Sequence, residues 1–243
     1  VFTQRVGTAA ITFIRFVIST MWDDTLSHAI TLSAELAVWT LVLQLISGVI
    51  LAWLLTHKAW WVGFVDVLVL LPLIFPPIVL GFVLLFVLGR QGMIGAELAQ
   101  WGISLVFSFG GLLIAAWLSG LPLMVKTLQS ALLALPSNLS EAAYTLGYSS
   151  WQTYWRVLLP NVYLAMWMGL LLALGRSIGE VGLSLMLGGN ILGETETWSL
   201  AIYNRVMSGD TEQAAWLSLG LAGVSVMIFM LMRRLSFRLT TVR

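Results

Sequence analysis

Cysteine is absent from this chain, which excludes a disulfide framework, a thiol nucleophile and a thiolate metal site. Charge is scarce as well. Only 9% of the 243 residues are charged, whereas a soluble domain carries roughly 25%. The formal net charge of +1 leaves no basic stripe to neutralise phosphates, so nucleic acid is excluded as a partner. No G-x-x-x-x-G-K-[ST] run occurs, so the chain has no phosphate-cradling loop and is not itself an ATPase. Neither H-E-x-x-H nor G-x-S-x-G is found. The two histidines, His28 and His57, flank one apolar stretch and read as interfacial residues rather than ligands. No catalytic set and no metal-ligating set can be assembled.

What the chain has instead is apolar length. It is 59% hydrophobic with a mean hydropathy of +0.95, the composition of a polytopic membrane protein. A span needs about 20 mostly apolar residues, and five stretches qualify: 30–55, 64–88, 103–125, 161–187 and 213–232. A sixth candidate, residues 6–22, is interrupted by Arg15. An arginine at mid-span costs about 2.5–3.5 kcal/mol on insertion scales, which favours a helix lying in the interface over an extra span. Residues 1–27 are thus an interfacial helix or a further span, and 28–243 a single membrane domain. The fold class is all-α, with five core transmembrane helices, or six with the N-terminal segment.

Lysine and arginine placement orients the chain. One side collects Lys58, Lys126, Arg156, Arg233, Arg234, Arg238 and Arg243, and the opposite loops hold Arg90 and Arg205. Arg5 and Arg15 remain unassigned. The segment between the third and fourth spans and the C-terminus are therefore expected on the cytoplasmic side. Pro72, Pro76 and Pro77 should kink or locally unwind the second span, either as a packing kink or as a bend lining a pathway. A polar excursion, residues 188–213, separates the last two spans and either protrudes or folds back into a protected cavity.

The most polar interruption is EAAYTLGYSSWQTYWRVLLP, residues 141–160. Pro136 ends the preceding helix. Asn138 is placed to cap the next one, with Glu141 closing a capping box. Gly147 suits a left-handed stop, and Ser149 or Ser150 can cap a second helix that Pro160 terminates or hands on to the fourth span. The spacing predicts a helix, a turn and a helix across the membrane surface, over 136–160. Without further information this is also what an amphipathic helix resting on headgroups looks like, given Trp151, Tyr154 and Trp155.

Inside the fourth span Arg176 and Glu180 are four apart and expected on one helical face. Ionisable groups at such depth must pair or face a wet cavity. They form a structural ion pair, or Arg176 lends positive potential to an anion pathway while Glu180 holds it. Gly175, Gly179 and Gly182 form a small-residue stripe suited to close helix packing, within the chain or against a second copy.

The order Glu141-Ala142-Ala143, three residues, Gly147, nine residues, Val157-x-Leu159-Pro160 resembles the signature loop of ABC-importer permeases, with Val in place of the usual Ile. LPLIFPPIVLGFVLLFVLGRQGMIG, LPLMVKTLQ, GRSIGEVG and GGNILGETETWSLAIY are similar to the molybdate and tungstate permease subgroup, and the resemblance runs from about residue 28 to 232. It implies a type I importer permease fold and alternating access for a tetrahedral oxyanion, molybdate or tungstate. It also implies two permease copies in the lipid bilayer of a bacterial or archaeal cytoplasmic membrane. Two cytosolic ABC ATPase subunits would carry ATP and Mg, with an extracytoplasmic binding protein delivering the anion. The ATPase-docking residues would be Glu141, Ala142, Ala143, Gly147 and Pro160. A permease for sulfate or another solute is the alternative within this class. A secondary transporter or channel without an ATPase is the alternative outside it.

Overall fold

The structure is a computed structural model that describes residues 24–57 and 59–241. The N-terminal segment assigned to an interfacial helix or extra span falls almost wholly outside the described residues. So do the side chains of Arg5, Arg15, Lys58, Arg238 and Arg243.

The first apolar run forms helix α1 (Asp24–Leu54). Its 31 residues reach about 46 Å at 1.5 Å per residue, longer than the roughly 30 Å hydrocarbon core. Every fourth residue from Leu32 through Leu36, Thr40, Gln44 and Gly48 to Ala52 is buried. That repeat makes one stripe along the helix, and the stripe lies against helix α5 (Phe109–Leu133). Leu32 and Leu36 meet Leu112 and Ala116 at one end, and Val49 and Ala52 join Met124, Leu128 and Leu132 at the other.

The second span is two helices, α2 (Val62–Ile74) and α3 (Pro77–Leu88), bent by 118°. Of the three prolines, Pro72 is absorbed inside α2, and the break falls at Pro76. Phe75 before it is extended at φ −78°, ψ 143°, as steric conflict with a following proline demands. A short helix, α4 (Met93–Gln100), follows.

The third span was expected over 103–125, but the helix runs from Phe109 to Leu133. Residues before it turn irregularly, with Phe107 at φ 59°. The far end overruns the expected limit because Lys126 does not mark a loop; its ammonium pairs with Asp66 of α2. Of the three long spans, α5 is the central one. Its most apolar stretch is 61% buried, against 33% for α1 and 11% for α11 (Thr211–Thr241), the last helix.

Between the third and fourth spans lie α6 (Ser137–Thr145) and α7 (Ser150–Asn161), and α7 includes a π-helical turn at Tyr154–Leu158. A 78° bend leads to α8 (Tyr163–Ile178). The fourth span was expected to be continuous over 161–187, yet α8 stops at Ile178 and α9 (Gly182–Gly188) begins after a break. The polar excursion folds back and forms α10 (Trp198–Met207) before α11. Among the described residues three helices are long and apolar enough to cross a membrane, and up to five spans result if each bent pair counts as one.

The three central elements meet at Gly120. A methyl group there would stand 2.5 Å from Ala173 O of α8 and 2.3 Å from Gln44 Nε2 of α1. Only a residue without Cβ lets these helices come so close.

Candidate functional site

The α6–α7 segment is built mainly from local signals. Pro136 (φ −61°, ψ 137°) stands in the N-cap position of α6, with no side-chain cap bond. The expected capping box of Asn138 and Glu141 is therefore not formed. The helix starts two residues earlier, which puts Asn138 inside it, and Ser140 instead donates back to Ser137 O at 2.8 Å. Gly147 stops the helix as anticipated, at φ 81°. Tyr148 N donates to Ala143 O at 3.1 Å and Gly147 N to Tyr144 O at 2.9 Å, the paired bonds of a Schellman stop. Ser149 then caps α7. It accepts from Gln152 N at 3.3 Å while Gln152 Oε1 accepts from Ser149 N at 3.0 Å. Farther along, Leu159 N donates to Tyr154 O, a π-type bond. Asn161 Nδ2 donates to Val157 O at 2.6 Å, satisfying a carbonyl just upstream of Pro160, a residue that has no N–H to offer.

The two faces of α6 differ sharply. Ala143 is 3% exposed and lies on the side packed against α7, whereas Glu141 and Ala142 are exposed. Tyr144 and Leu146 are also open, Leu146 at 76%. These two large side chains give the outer face an apolar character that charge and capping arguments did not single out. Gly147 and Pro160 are exposed too.

Beneath that face the segment is tied to the membrane core. Tyr154 is 1% exposed, and its hydroxyl donates to Val49 O of α1 at 2.7 Å. Its ring belongs to the same cluster as Met124, Leu128, Leu170 and Ala173. Trp151 meets Trp53 edge-on at 4.9 Å and Trp155 at 5.4 Å. Arg156 lies 5.7 Å from the Tyr148 ring centroid, within cation–π range. The arrangement is an exposed helix on a stiff base, and the base touches α1, α5 and α8.

At the other end of α8, Arg176 Nη1 and Glu180 Oε2 are 2.7 Å apart. They pair as their spacing suggests but do not share a continuous helical face, because α8 has already ended and Gly179 is its C-cap. Glu180 is 3% exposed, and its Oε1 accepts from Leu183 N at 2.9 Å. One carboxylate thus neutralises Arg176 and caps α9. Its backbone carbonyl accepts from Ser199 Oγ at 3.1 Å, linking the break to α10. Ser177 Oγ donates to Ala116 O at 2.6 Å and accepts from Gln44 Nε2 at 2.9 Å.

The glycine stripe is divided by the same break. A methyl group on Gly182 would stand 2.9 Å from Pro77 Cβ, but one on Gly175 only reaches 4.0 Å from Ile228, and one on Gly179 meets nothing within 4 Å. Within this chain, close packing belongs to Gly182 alone of the three.

Two further features escaped sequence reasoning. Asp66, a lone carboxylate in an apolar run, pairs with Lys126, which also donates to Gln129 Oε1 at 3.0 Å. Its place within an apolar run was the available signal, since a carboxylate there needs a partner or water. The fold-back after α9 is held by Thr195, whose hydroxyl donates to Gly188 O at 2.7 Å and accepts from Ile191 N at 2.9 Å. Asn204 completes it, donating to Glu196 Oε1 at 2.6 Å and bonding Asn190. Among the described residues no group of three His, Asp or Glu side chains gathers as a metal site.

Residues 44–241 match the model of the family described as binding-protein-dependent transport system inner membrane component. The chain is 36% identical over 214 residues to the molybdenum transport system permease protein ModB of Haemophilus influenzae, covering 87% of this chain and 93% of that protein. It is 34% identical to ModB of Escherichia coli K12, covering 86% and 94%. It is 32% identical to the sulfate transport system permease protein CysW of Synechocystis, covering 88% and 78%. A crystal structure of a bacterial ABC transporter involved in alginate import superposes with a TM-score of 0.72 at 18% identity, covering 93% of this chain and 84% of that one. At that identity the likeness speaks for the fold. The chain belongs to the binding-protein-dependent transport system inner membrane components, the permease subunits of ABC importers.

Proposed function

We propose that this permease carries a tetrahedral oxyanion of the molybdate class, molybdate or tungstate, inward across the cytoplasmic membrane. The observation that carries the substrate reading is the full-length similarity to molybdenum permeases at 34–36% identity. Two copies enclose the pathway in this reading. A cytosolic ATPase docks on each α6 outer face, through Glu141, Ala142 and the turn at Gly147, and an extracytoplasmic binding protein delivers the anion to the opposite side. ATP and Mg belong to the ATPase, and the permease itself does no bond chemistry. Arginine and lysine placement supports a cytoplasmic position for α6–α7 and for the C-terminus.

The stiff base of α7 gives docking a mechanical route. Movement of α6 is passed through Tyr154 to α1 and through the 78° bend to α8. At the far end of α8 it meets the break at Glu180, where span four is interrupted. Arg176, a third exposed, supplies positive potential near that break without leaving Glu180 unpaired.

A sulfate permease is the second reading, favoured by the 32% identity to CysW. Reconstitution with the cognate binding protein and ATPase into proteoliposomes separates the two. Molybdate-stimulated ATP hydrolysis with molybdate uptake is expected, and stimulation by sulfate alone overturns the substrate reading. Uptake that proceeds without any ATPase subunit overturns the importer mechanism.

A further inference from the structure

The buried polar atoms of α1 do not all find partners in the protein. Thr40 is 1% exposed, and its hydroxyl oxygen has no protein partner. It borders a cavity of about 20 Å³ where α1, α5, the α8–α9 break and the start of α10 come together. Ser177, Glu180, Ser184 and Ser199 line it together with Thr40, among apolar neighbours such as Leu36 and Leu174. A water molecule requires roughly 10–15 Å³ of such space and two to four polar partners. The volume suffices, and Thr40, Ser177, Glu180, Ser184 and Ser199 bring side-chain oxygens to its lining. A cation has less to gain here, because the one carboxylate in the wall is already neutralised by Arg176 at 2.7 Å. An apolar filler would leave the Thr40 hydroxyl unsatisfied, which is destabilising for a group so deeply buried.

We propose that this cavity is a binding site for one ordered water, which accepts from the Thr40 hydroxyl and donates to the oxygens of the span-four break. Thr40 is then a positioning residue for the joint. The water connects α1 to a segment whose other hydrogen bonds, from Ser199 to Glu180 O and from Leu183 N to Glu180 Oε1, already cross element boundaries. Unlike a side chain, it can change partners without a rotamer change, so the joint keeps its polar groups satisfied while the helices around it shift.

A crystal structure of the full chain in lipid, at a resolution that shows other buried waters, should reveal density within hydrogen-bond reach of Thr40 Oγ1. Thr40→Val keeps the shape and removes the hydroxyl. With a bound water the variant loses that density and its Tm falls by about 2–4 °C, because the water is left short of a partner. With a dry cavity the Tm rises, since an unsatisfied hydroxyl has been removed. Thr40→Ser keeps the hydroxyl and should keep the density, which separates loss of the water from loss of the methyl group. Absence of density in the wild-type chain overturns the proposal, and so does a Thr40→Val variant as stable as the parent.

Discussion

Helix α8 is interrupted at both ends, and the two interruptions are made differently. At the α6–α7 end the chain turns by near-neighbour hydrogen bonds. The Gly147 stop, the Ser149 box and the Asn161 bond to Val157 each span five residues or fewer. At the Glu180 end the local bonds of Glu180 to Arg176 and Leu183 are joined by distant ones, from Ser199 of α10 and from Gln44 and Ala116 around Ser177. The first interruption is largely open to solvent, and the second turns on a buried carboxylate, Glu180. An exposed turn can be specified by its own residues because water satisfies whatever they leave unpaired. A buried break must have every polar group matched by another element.

That contrast can be broken at its strongest point first. Glu180→Ala removes the partner of Arg176 and the cap of α9 together, and should destabilise the protein by about 2–4 kcal/mol. This is less than a fully buried pair loses, because Arg176 is a third exposed and can be hydrated. Glu180→Gln keeps an acceptor for Leu183 N and should lose about half as much. Unfolding of both variants in mixed micelles, followed by circular dichroism, tests this. Equal losses would mean that capping contributes nothing.

Tyr154→Phe probes the tether between the two regions. It leaves the ring in place and removes the bond to Val49 O, for an expected loss of about 1–2 kcal/mol. ATP hydrolysis by the assembled transporter should at the same time respond less to the loaded binding protein. An unchanged response would uncouple the tether from signalling. At Gly147 the left-handed backbone makes Gly147→Ala cost about 1 kcal/mol, while Gly147→Asp or Glu141→Lys should abolish co-elution with the ATPase. Retained co-elution in both would refute docking at this turn. The smallest effects sharpen the local rule: Ser149→Ala should cost about 1 kcal/mol as a lost cap. Asn138→Ala should stay within about 0.5 kcal/mol, because Asn138 caps nothing.

The same division governs what could be read before any coordinates. Pro76, Gly147 and Ser149 act within their own few residues, so a break, a left-handed stop and a cap were visible at or near them. The helix start at α6 was misplaced by two residues because proline can occupy an N-cap position that polar side chains usually hold. The register of α5 was misjudged since Lys126 looks like a terminus until Asp66, 60 residues away, is placed beside it. The discontinuity at Glu180 was invisible for a similar reason. An apolar run with an i,i+4 ion pair is good helix, and only Ser199 and the Gly182–Pro77 contact show why it stops there. Of the α6–α7 segment, the turn was legible, whereas the tether through Tyr154 depends on a contact across more than 100 residues of chain.

Ala142 and Ala143 are neighbours in the chain, yet the first is exposed and the second buried. Their genetics should therefore diverge. Enlarging Ala142 changes what an outside partner meets, so compensating mutations are expected in the gene of the proposed ATPase partner. Enlarging Ala143 displaces α6 from α7, and its suppressors should arise within this chain, among residues that line that contact. Two adjacent codons would then report separately on how the subunit assembles and on how it folds.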